Sequence, residues 1–521
     1  MTVPAGNPAD AVLLPPDAIK SEAAVDGGIG AATHVEGAPA GRALDRSFVR
    51  GIAWQGSVKW GVQLVTWSAT IVVARLLSPA DYGLLSMGNV LLTFITLLSE
   101  SGLGITVVRT RDITSEQVAH INGAALMLGA ACFVVACAAA FPVGAFYRAS
   151  ELPPVIMAMA LALVITAFRV VPGALLQRDL RFPRLAVIDG VQGLLQAAAT
   201  VTLAIFGFRY WSLVIGTLLG VTFGTVATVL SRPFRIRRPR RETLRPMFSF
   251  TREVVATRLL WYIYQDSDFV VAGRRLGVQA LGGYTYAWTL ASLPVDKITA
   301  LVGSVTSPVF AAVQHDHSEL RRYFLSITEG LAAVSFPLTL GMALVASDVV
   351  PAVLGDKWLF MVGPLQVLAA YASIRSITPI ASQALLVIGD TRFQMYLAAA
   401  AAIALPSAFY VGSHWGAIGI AVAWTIVHPT VVYFPFSVRF SRRLGVSFSM
   451  YLKALWPAMS GCLAMSAAVV AARTLISDST THGMKAAVEI AVGAVAYMAC
   501  LFTFFRPRLE RLRAAWRHRA A

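Results

Sequence analysis

Three positively charged side chains lie deep within apolar stretches of the sequence. Lys59, Arg258 and Lys297 each stand about eight residues from one end of such a stretch, which is roughly 12 Å of helix. A charge at that depth is costly and generally faces a cavity or a partner. Arginine binds phosphate through two nitrogens, and lysine binds it as a point charge. These cations therefore predict a site that binds phosphate groups, unless they extend to the interface or pair with carboxylates.

Further polar side chains accompany these cations on helical faces, because residues four apart in a helix lie on one side. Uncharged groups on these faces would line a polar cavity. A further arginine would either bind phosphate or form an ion pair that stabilises packing. The predicted cavity-lining residues are Gln55, Gln63 and Tyr262, and the weaker phosphate candidates are Arg169 and Arg375.

Four acidic residues within apolar stretches are candidates for a proton or cation site: Asp266, Asp268, Asp296 and Glu100. Asp266 and Asp268 form a D-x-D motif, which in a glycosyltransferase binds a metal-bound nucleotide. Here the motif lies in the apolar run YIYQDSDFVVAG between short loops, which disfavours that interpretation. The alternative to such an ion site is that groups on neighbouring helices satisfy the charges of Asp266 and Asp268. The four cysteines lack the spacing of a metal site, so neither a metal nor a cofactor is predicted.

The elements that must position these residues are long and apolar. Hydrophobic residues make up 57% of the 521 residues and charged residues 13%, about half the charged share of a soluble protein. This composition excludes an ordinary cytosolic enzyme and indicates an all-α polytopic membrane protein. A spanning helix needs about 20 mostly apolar residues. Fourteen stretches qualify: 51–73, 84–106, 118–140, 153–176, 185–206, 210–230, 250–272, 283–305, 325–347, 360–386, 394–411, 416–437, 453–473 and 485–505. The first and seventh are polar enough for a hydropathy plot to miss.

The net charge of +16 is explained by membrane topology and not by a nucleic-acid partner. An N-terminus inside the cell places about thirty lysines and arginines in cytoplasmic segments and about eight on the opposite side, which follows the positive-inside rule. Both termini are therefore predicted to be cytoplasmic. The densest basic run, RPFRIRRPRRETLRPMF at 232–248, is predicted to contact anionic membrane lipid.

Composition and a faint internal repeat divide the chain. Residues 1–45 lack apolar periodicity and are predicted to be disordered. The segments ARLLSPADYGLLS (74–86) and GRRLGVQALGGYTY (273–286) occupy equivalent places after spans one and seven, and internal duplication is typical of transporters. The predicted parts are a disordered cytoplasmic N-terminus (1–45), a first lobe (46–231), a basic linker (232–249), a second lobe (250–438), two C-terminal spans (439–505) and a basic cytoplasmic tail (506–521).

Several of these segments are similar to those of a known superfamily. ARLLSPADYGLLSM, SGLG (101–104), LLQRDLRF (175–182) and GRRLGVQALGGY resemble polysaccharide exporters, most closely the Wzx-type lipid-linked oligosaccharide flippases of the MOP exporter superfamily. The resemblance covers about residues 46–505. It implies two lobes of six helices around a central cavity, two extra C-terminal helices and transport by alternating access.

The resemblance also implies a substrate and a location. Undecaprenyl-diphosphate-linked oligosaccharide would move from the inner to the outer leaflet of the bacterial inner membrane, for exopolysaccharide, capsule or O-antigen synthesis, in association with polymerase or export machinery. Its diphosphate would then be the ligand of Lys59, Arg258 and Lys297. One alternative is a multidrug or small-molecule exporter on the same scaffold, which should have an acidic cavity. The other is a membrane polymerase or glycosyltransferase, but that class needs a long outward loop bearing catalytic acids, and every outward loop here is short.

Overall fold

The computed structural model describes residues 61–99, 104, 107–108, 110, 113–239, 241–477 and 479–506. These residues are almost entirely helical, and no strand occurs among them. The helices are α1 Gly61–Leu76, α2 Pro79–Ser99, α3 Ser115–Tyr147, α4 Leu152–Arg178, α5 Phe182–Ile205, α6 Tyr210–Ser231, α7 Arg241–Ala312, α8 His317–Val353, α9 Val362–Val387, α10 Thr391–Gly412, α11 Gly416–His428, α12 Phe434–Leu444, α13 Phe448–Leu475 and α14 His482–Phe504. Short 3₁₀ segments precede α9 and α11, and a π turn joins α11 to α12.

Helix lengths and compositions fit a membrane-embedded bundle. Ten helical segments are long and apolar enough to cross a bilayer, and the shorter α1 is apolar as well. The long α7 is not among the ten, because its charged and amide residues lower its hydropathy, as expected for the seventh span. Each of the fourteen predicted spans overlaps a described helix. The all-α membrane architecture is thus confirmed, while the exact number of crossings and the lobe boundaries stay predictions.

A single glycine turns α7 back on itself. Gly277 has φ 86° and ψ 179° in an otherwise helical segment, a conformation open to glycine because it has no Cβ. The arms before and after it pack together, since the hydroxyl of Tyr284 on the second arm lies 2.7 Å from Asp268 on the first. The sequence predicted a loop of about ten residues here between two spans. The structure instead continues both helices to a turn at Gly277.

The start of α2 and the start of the second arm of α7 pack backbone to backbone. A Cβ added at Gly83 would lie 1.8 Å from the carbonyl oxygen of Val278, and one added at Gly282 would lie 1.8 Å from that of Pro79. Each glycine therefore faces the carbonyl four residues before the other, which is a reciprocal contact. The two segments of the predicted internal repeat thus meet here, and only residues without a side chain permit this approach.

Polar contacts strengthen the same end of the bundle. The Ser86 and Thr285 hydroxyls lie 2.9 Å apart. The Lys357 ammonium donates to the carbonyl of Leu77 at 2.7 Å, and the Trp358 indole donates to that of Ala74 at 3.0 Å. These bonds tie the end of α1 to the segment between α8 and α9. Helices from both halves of the chain are therefore closed against each other at this end.

Part of the predicted basic linker docks on α3. The backbone N–H of Arg237 donates to the carbonyl of Ala119 at 3.1 Å, and its guanidinium pairs with Glu116 at 2.7 Å. Gly123 makes room for this segment, because a Cβ there would lie 1.9 Å from the carbonyl oxygen of Arg237. The segment is thus held by protein contacts, and one of its charges is neutralised by a carboxylate.

Candidate functional site

A cavity of about 550 Å³ lies among α7, α9, α10 and α11, in the C-terminal half of the chain. Aromatic rings form much of its wall, and a smaller set of polar groups interrupts them, which is typical of ligand pockets. The polar lining includes Asp266, Asp296, Arg375, Gln383, Gln394 and His428. The cavity thus brings together three of the residues that the sequence predicted for the site.

The two carboxylates of the D-x-D motif point to different surroundings. Residues two apart in a helix lie on nearly opposite sides. Asp266 lines the cavity, and no hydrogen bond or ion pair joins it to any other residue that the structure describes. Asp268 has no exposed surface. The pair therefore does not present two adjacent carboxylates to one metal ion.

Asp268 is fully hydrogen-bonded inside the bundle. Its carboxylate accepts a hydrogen bond from the Tyr284 hydroxyl at 2.7 Å, from the Trp424 indole N–H at 2.9 Å and from the backbone N–H of Phe269 at 2.9 Å. A buried carboxylate needs such donors to offset its lost hydration. Asp268 therefore fixes the Trp424 ring in the cavity wall, a positioning role that matches the alternative of a satisfied pair.

Arg375 is neutralised within the cavity. Its guanidinium donates to Asp296 at 2.5 Å and to the Ser292 hydroxyl at 2.6 Å. It also lies over the Trp288 ring at 5.3 Å from the centroid, a favourable cation–π arrangement. Asp296 and Arg375 thus form an ion pair across α7 and α9, which is the packing role considered for this arginine.

Arg169 on α4 is also paired. It forms an ion pair with Asp189 on α5 and donates to the Gln192 amide oxygen at 2.7 Å. Neither partner was among the predicted site residues. Because a neighbouring carboxylate already satisfies this cation, its attraction for an added phosphate is weakened.

Lys297 differs from these two arginines. Its ammonium donates to the Gln63 amide oxygen at 3.2 Å, and no carboxylate pairs with it among the described residues. The side chain is exposed in the structure. Gln63 lies on α1 and Lys297 on the second arm of α7, so this bond joins helices from the two halves of the chain. The structure therefore keeps this cation beside a neutral partner.

The remaining predicted residues fall in two groups. Tyr262 directs its hydroxyl to the backbone carbonyl of Val90 on α2, and its ring packs against Phe94 at 5.6 Å. It therefore contacts α2 and is not part of the cavity lining. Gln55, Lys59, Glu100 and the side chain of Arg258 lie outside the described residues, so their predicted roles stay predictions.

Sequence reasoning missed two residues that complete the cavity, His428 and Trp424. His428 is 4% exposed, and its Nδ1 has no hydrogen-bond partner among the described residues. The Trp424 and Tyr371 rings stack at 5.3 Å, and Trp288 lies 5.3 Å from Trp424. A histidine alone in the apolar run AWTIVHPTVV was the one available signal. The described residues hold no cluster of His, Cys, Asp or Glu suited to a metal ion.

The fold and this polar cavity define a multi-pass membrane transporter. Residues 72–363, more than half of the chain, match the family model described as polysaccharide biosynthesis protein. The chain belongs to this family. The resemblance to polysaccharide exporters found in the sequence is thereby confirmed.

Individual relatives agree with the family. The chain is 26% identical over 400 residues to the lipopolysaccharide biosynthesis protein WzxC of Escherichia coli K12, covering 74% of this chain and 79% of that protein. It is 24% identical over 486 residues to the succinoglycan biosynthesis transport protein ExoT of Rhizobium meliloti, covering 90% and 95%. The lipid II flippase MurJ, in an inward closed conformation, superposes with a TM-score of 0.70 at 12% identity, over 88% of this chain and 100% of that one. This last likeness concerns the fold.

Proposed function

We propose that this protein is a flippase that moves undecaprenyl-diphosphate-linked oligosaccharide from the inner to the outer leaflet of the bacterial inner membrane. It supplies exopolysaccharide, capsule or O-antigen synthesis. The observation that carries the proposal is Lys297, an exposed cation in a membrane-spanning stretch whose partner among the described residues is an amide and not a carboxylate. A cation at membrane depth is costly unless a polar or anionic group joins it. A lipid diphosphate supplies that anion.

The other cations support a site centred on Lys297. Arg169 and Arg375 already contact Asp189 and Asp296, so they contribute less attraction. Lys59 and Arg258 stand at a comparable distance within their apolar stretches and complete the proposed phosphate site. Asp266 is the better candidate for ion coupling, because Asp268 is occupied by three donors. Glu100 and Asp296 remain secondary candidates.

The surroundings of the protein follow from the same proposal. Both termini face the cytoplasm, where the basic tail at 506–521 and the run at 232–248 contact anionic lipid. A polysaccharide polymerase in the same membrane receives the flipped repeat units. Transport proceeds by alternating access, in which the end of the bundle closed by Gly83 and Gly282 opens to release the substrate.

The test is a deletion strain examined for its lipid-linked intermediates. Loss of the protein should abolish surface polysaccharide and leave undecaprenyl-linked repeat units in the inner leaflet, where a membrane-impermeant periodate or lectin probe does not reach them. The wild-type gene should restore export. A deletion strain that still displays its polysaccharide, with no accumulated intermediate, would contradict the proposal.

Lys297 variants then test the site within the same strain. Lys297→Gln removes the charge and should lower surface polysaccharide at least tenfold, because the loss of one charged contact costs about 1.5–3 kcal/mol. Lys297→Arg keeps the charge and should export part of the wild-type amount. Immunoblots of membranes verify equal protein. Normal export by Lys297→Gln at equal protein would refute phosphate binding by this side chain.

A further inference from the structure

The wall of the 550 Å³ cavity is built from flat aromatic faces. Trp288 is partly exposed and is backed by Trp424 and Tyr371, which are each 2% exposed. The ring centroids are 5.3 Å apart from Trp288 to Trp424 and from Trp424 to Tyr371. Trp261 also lines the cavity and is 41% exposed. An aromatic face carries a partial negative charge, which attracts the weakly positive C–H groups on the flat face of a pyranose ring. A sugar ring therefore fits this wall.

The same cavity offers hydrogen-bonding groups that no other described residue uses. Asp266 forms no hydrogen bond or ion pair with any other described residue. His428 is only 4% exposed, and its Nδ1 lacks a hydrogen-bond partner in the described part of the chain. A buried polar atom without a partner costs free energy. Sugar hydroxyls supply both donors and acceptors, so they satisfy the carboxylate and the imidazole together.

The charges of the lining distinguish a sugar from other ligands. Asp296 neutralises Arg375, so the carboxylate of Asp266 is left without a counter-charge among the described residues. A free phosphate would be repelled by it. A polyprenyl chain would gain nothing from Asp266, Gln383 or His428 and would bury them without hydrogen bonds. Uronic acids carry a carboxylate and are disfavoured for the same reason as phosphate.

We propose that this cavity binds neutral pyranose residues of the lipid-linked glycan, with the exposed ring of Trp261 and the partly exposed ring of Trp288 as stacking faces and with Asp266 and His428 as hydroxyl partners. The assignment rests on the proposed function and deepens it. Asp296 lines the cavity while the next residue, Lys297, turns towards Gln63 on α1. A diphosphate held at Lys297 therefore places the first sugars at the cavity rim.

Binding of free sugar to the purified full-length protein tests the assignment. The probe is the neutral fraction of short oligosaccharides obtained by partial acid hydrolysis of the producing strain's surface polysaccharide, titrated by calorimetry. The wild type should bind it. Trp261→Leu and Asp266→Asn should each weaken binding about tenfold, the scale of one stacking contact or one charged hydrogen bond. Trp415→Leu, which changes a 72% exposed tryptophan outside the cavity, is the control and should bind as the wild type does.

Two results would overturn the assignment. One is a wild-type protein that binds undecaprenyl diphosphate but no neutral oligosaccharide. The other is unchanged oligosaccharide binding by both cavity variants, each shown to be folded by its gel-filtration profile. Undecaprenyl diphosphate without sugar is measured in the same samples. A wild-type protein that fails to bind this lipid contradicts the proposed function. The sugar titration then decides separately whether the cavity binds neutral oligosaccharide.

Discussion

The charged residues of the bundle are distinguished by what lies beside them. Arg169 and Arg375 face carboxylates, Asp268 faces three hydrogen-bond donors, and Lys297 faces an amide oxygen. A charge that is already satisfied stabilises packing, whereas one without a counter-charge gains free energy from a charged ligand. The sequence placed all four inside apolar stretches. Their partners separate the structural charges from the candidate binding charges.

Asp268 should be needed for stability. Asp268→Ala leaves the Tyr284 hydroxyl and the Trp424 N–H buried without an acceptor, which costs about 1–3 kcal/mol for each group. Asp268→Asn keeps one acceptor oxygen and should cost less. The measurement is the thermal unfolding temperature of the purified protein in detergent.

Asp266→Asn is the matched control for this series. Asp266 has no bonded partner among the described residues, so its variant should unfold at the wild-type temperature. If Asp268→Ala proves as stable as Asp266→Asn, the positioning role of Asp268 is wrong. A stable but inactive Asp268→Asn protein would instead favour a direct part for Asp268 in ion coupling.

At the scale of helices, the last two are fastened to the bundle by one polar network. Arg473 on α13 contacts Glu489 on α14 through two nitrogens, at 2.6 and 3.1 Å. Arg473 also contacts Ser347 on α8 at 3.2 Å, and His482 contacts Asp348 there at 2.9 Å. Glu489 is 1% exposed. The network therefore positions α13 and α14 against α8 in the absence of a hydrophobic drive between helices in lipid.

Glu489→Ala should loosen these helices. Removing the carboxylate leaves the Arg473 guanidinium without its main partner, and charged hydrogen bonds of this kind contribute about 1.5–3 kcal/mol. We expect a lower unfolding temperature and faster proteolysis of the loop between α13 and α14 in the purified protein. Glu319→Ala removes the partly exposed partner of Arg322 and should cost less than about 1 kcal/mol. Equal losses in the two variants would show that burial does not set the strength of the Arg473 pair.

At the scale of the whole molecule, the segments that follow spans one and seven pack against each other and close one end of the bundle. The reciprocal contact of Gly83 with Val278 and of Gly282 with Pro79 places equivalent parts of the two halves face to face. The Tyr82 and Tyr286 rings pack beside it at 5.3 Å. A transporter that works by alternating access must separate such a contact during each cycle. A cross-link at this contact should therefore prevent the conformational change.

A disulfide at this contact should stop transport reversibly. The Ser86 and Thr285 hydroxyl oxygens are 2.9 Å apart, close enough for cysteine side chains at these positions to be tested for a disulfide bond. In cells, the Ser86→Cys, Thr285→Cys double variant should lose surface polysaccharide after mild oxidation and recover it after reduction. Each single variant should export under both conditions. Continued export by the oxidised double variant, with the cross-link verified on gels, would show that this end does not need to open.

Composition and periodicity determine the helical membrane architecture of this protein and identify its unusual charged residues. A 13% share of charged residues and repeated apolar stretches determine a helical membrane protein, because every backbone group in a bilayer must be hydrogen-bonded within the segment. Local patterns also marked Lys297, Arg375 and the D-x-D pair as unusual. These features depend on residues near one another in the chain, so the sequence by itself determined them.

The pairing of those residues was decided by tertiary structure alone. Arg375 meets Asp296, and Asp268 meets Trp424, across helices far apart in the sequence. No periodicity reports such contacts, since they depend on which helices pack together and on how each is rotated about its axis. The aromatic cavity likewise depends on tertiary structure, because residues from α7, α9, α10 and α11 together form its wall. The tertiary structure therefore distinguished charges that are paired within the bundle from charges that have no counter-charge among the described residues.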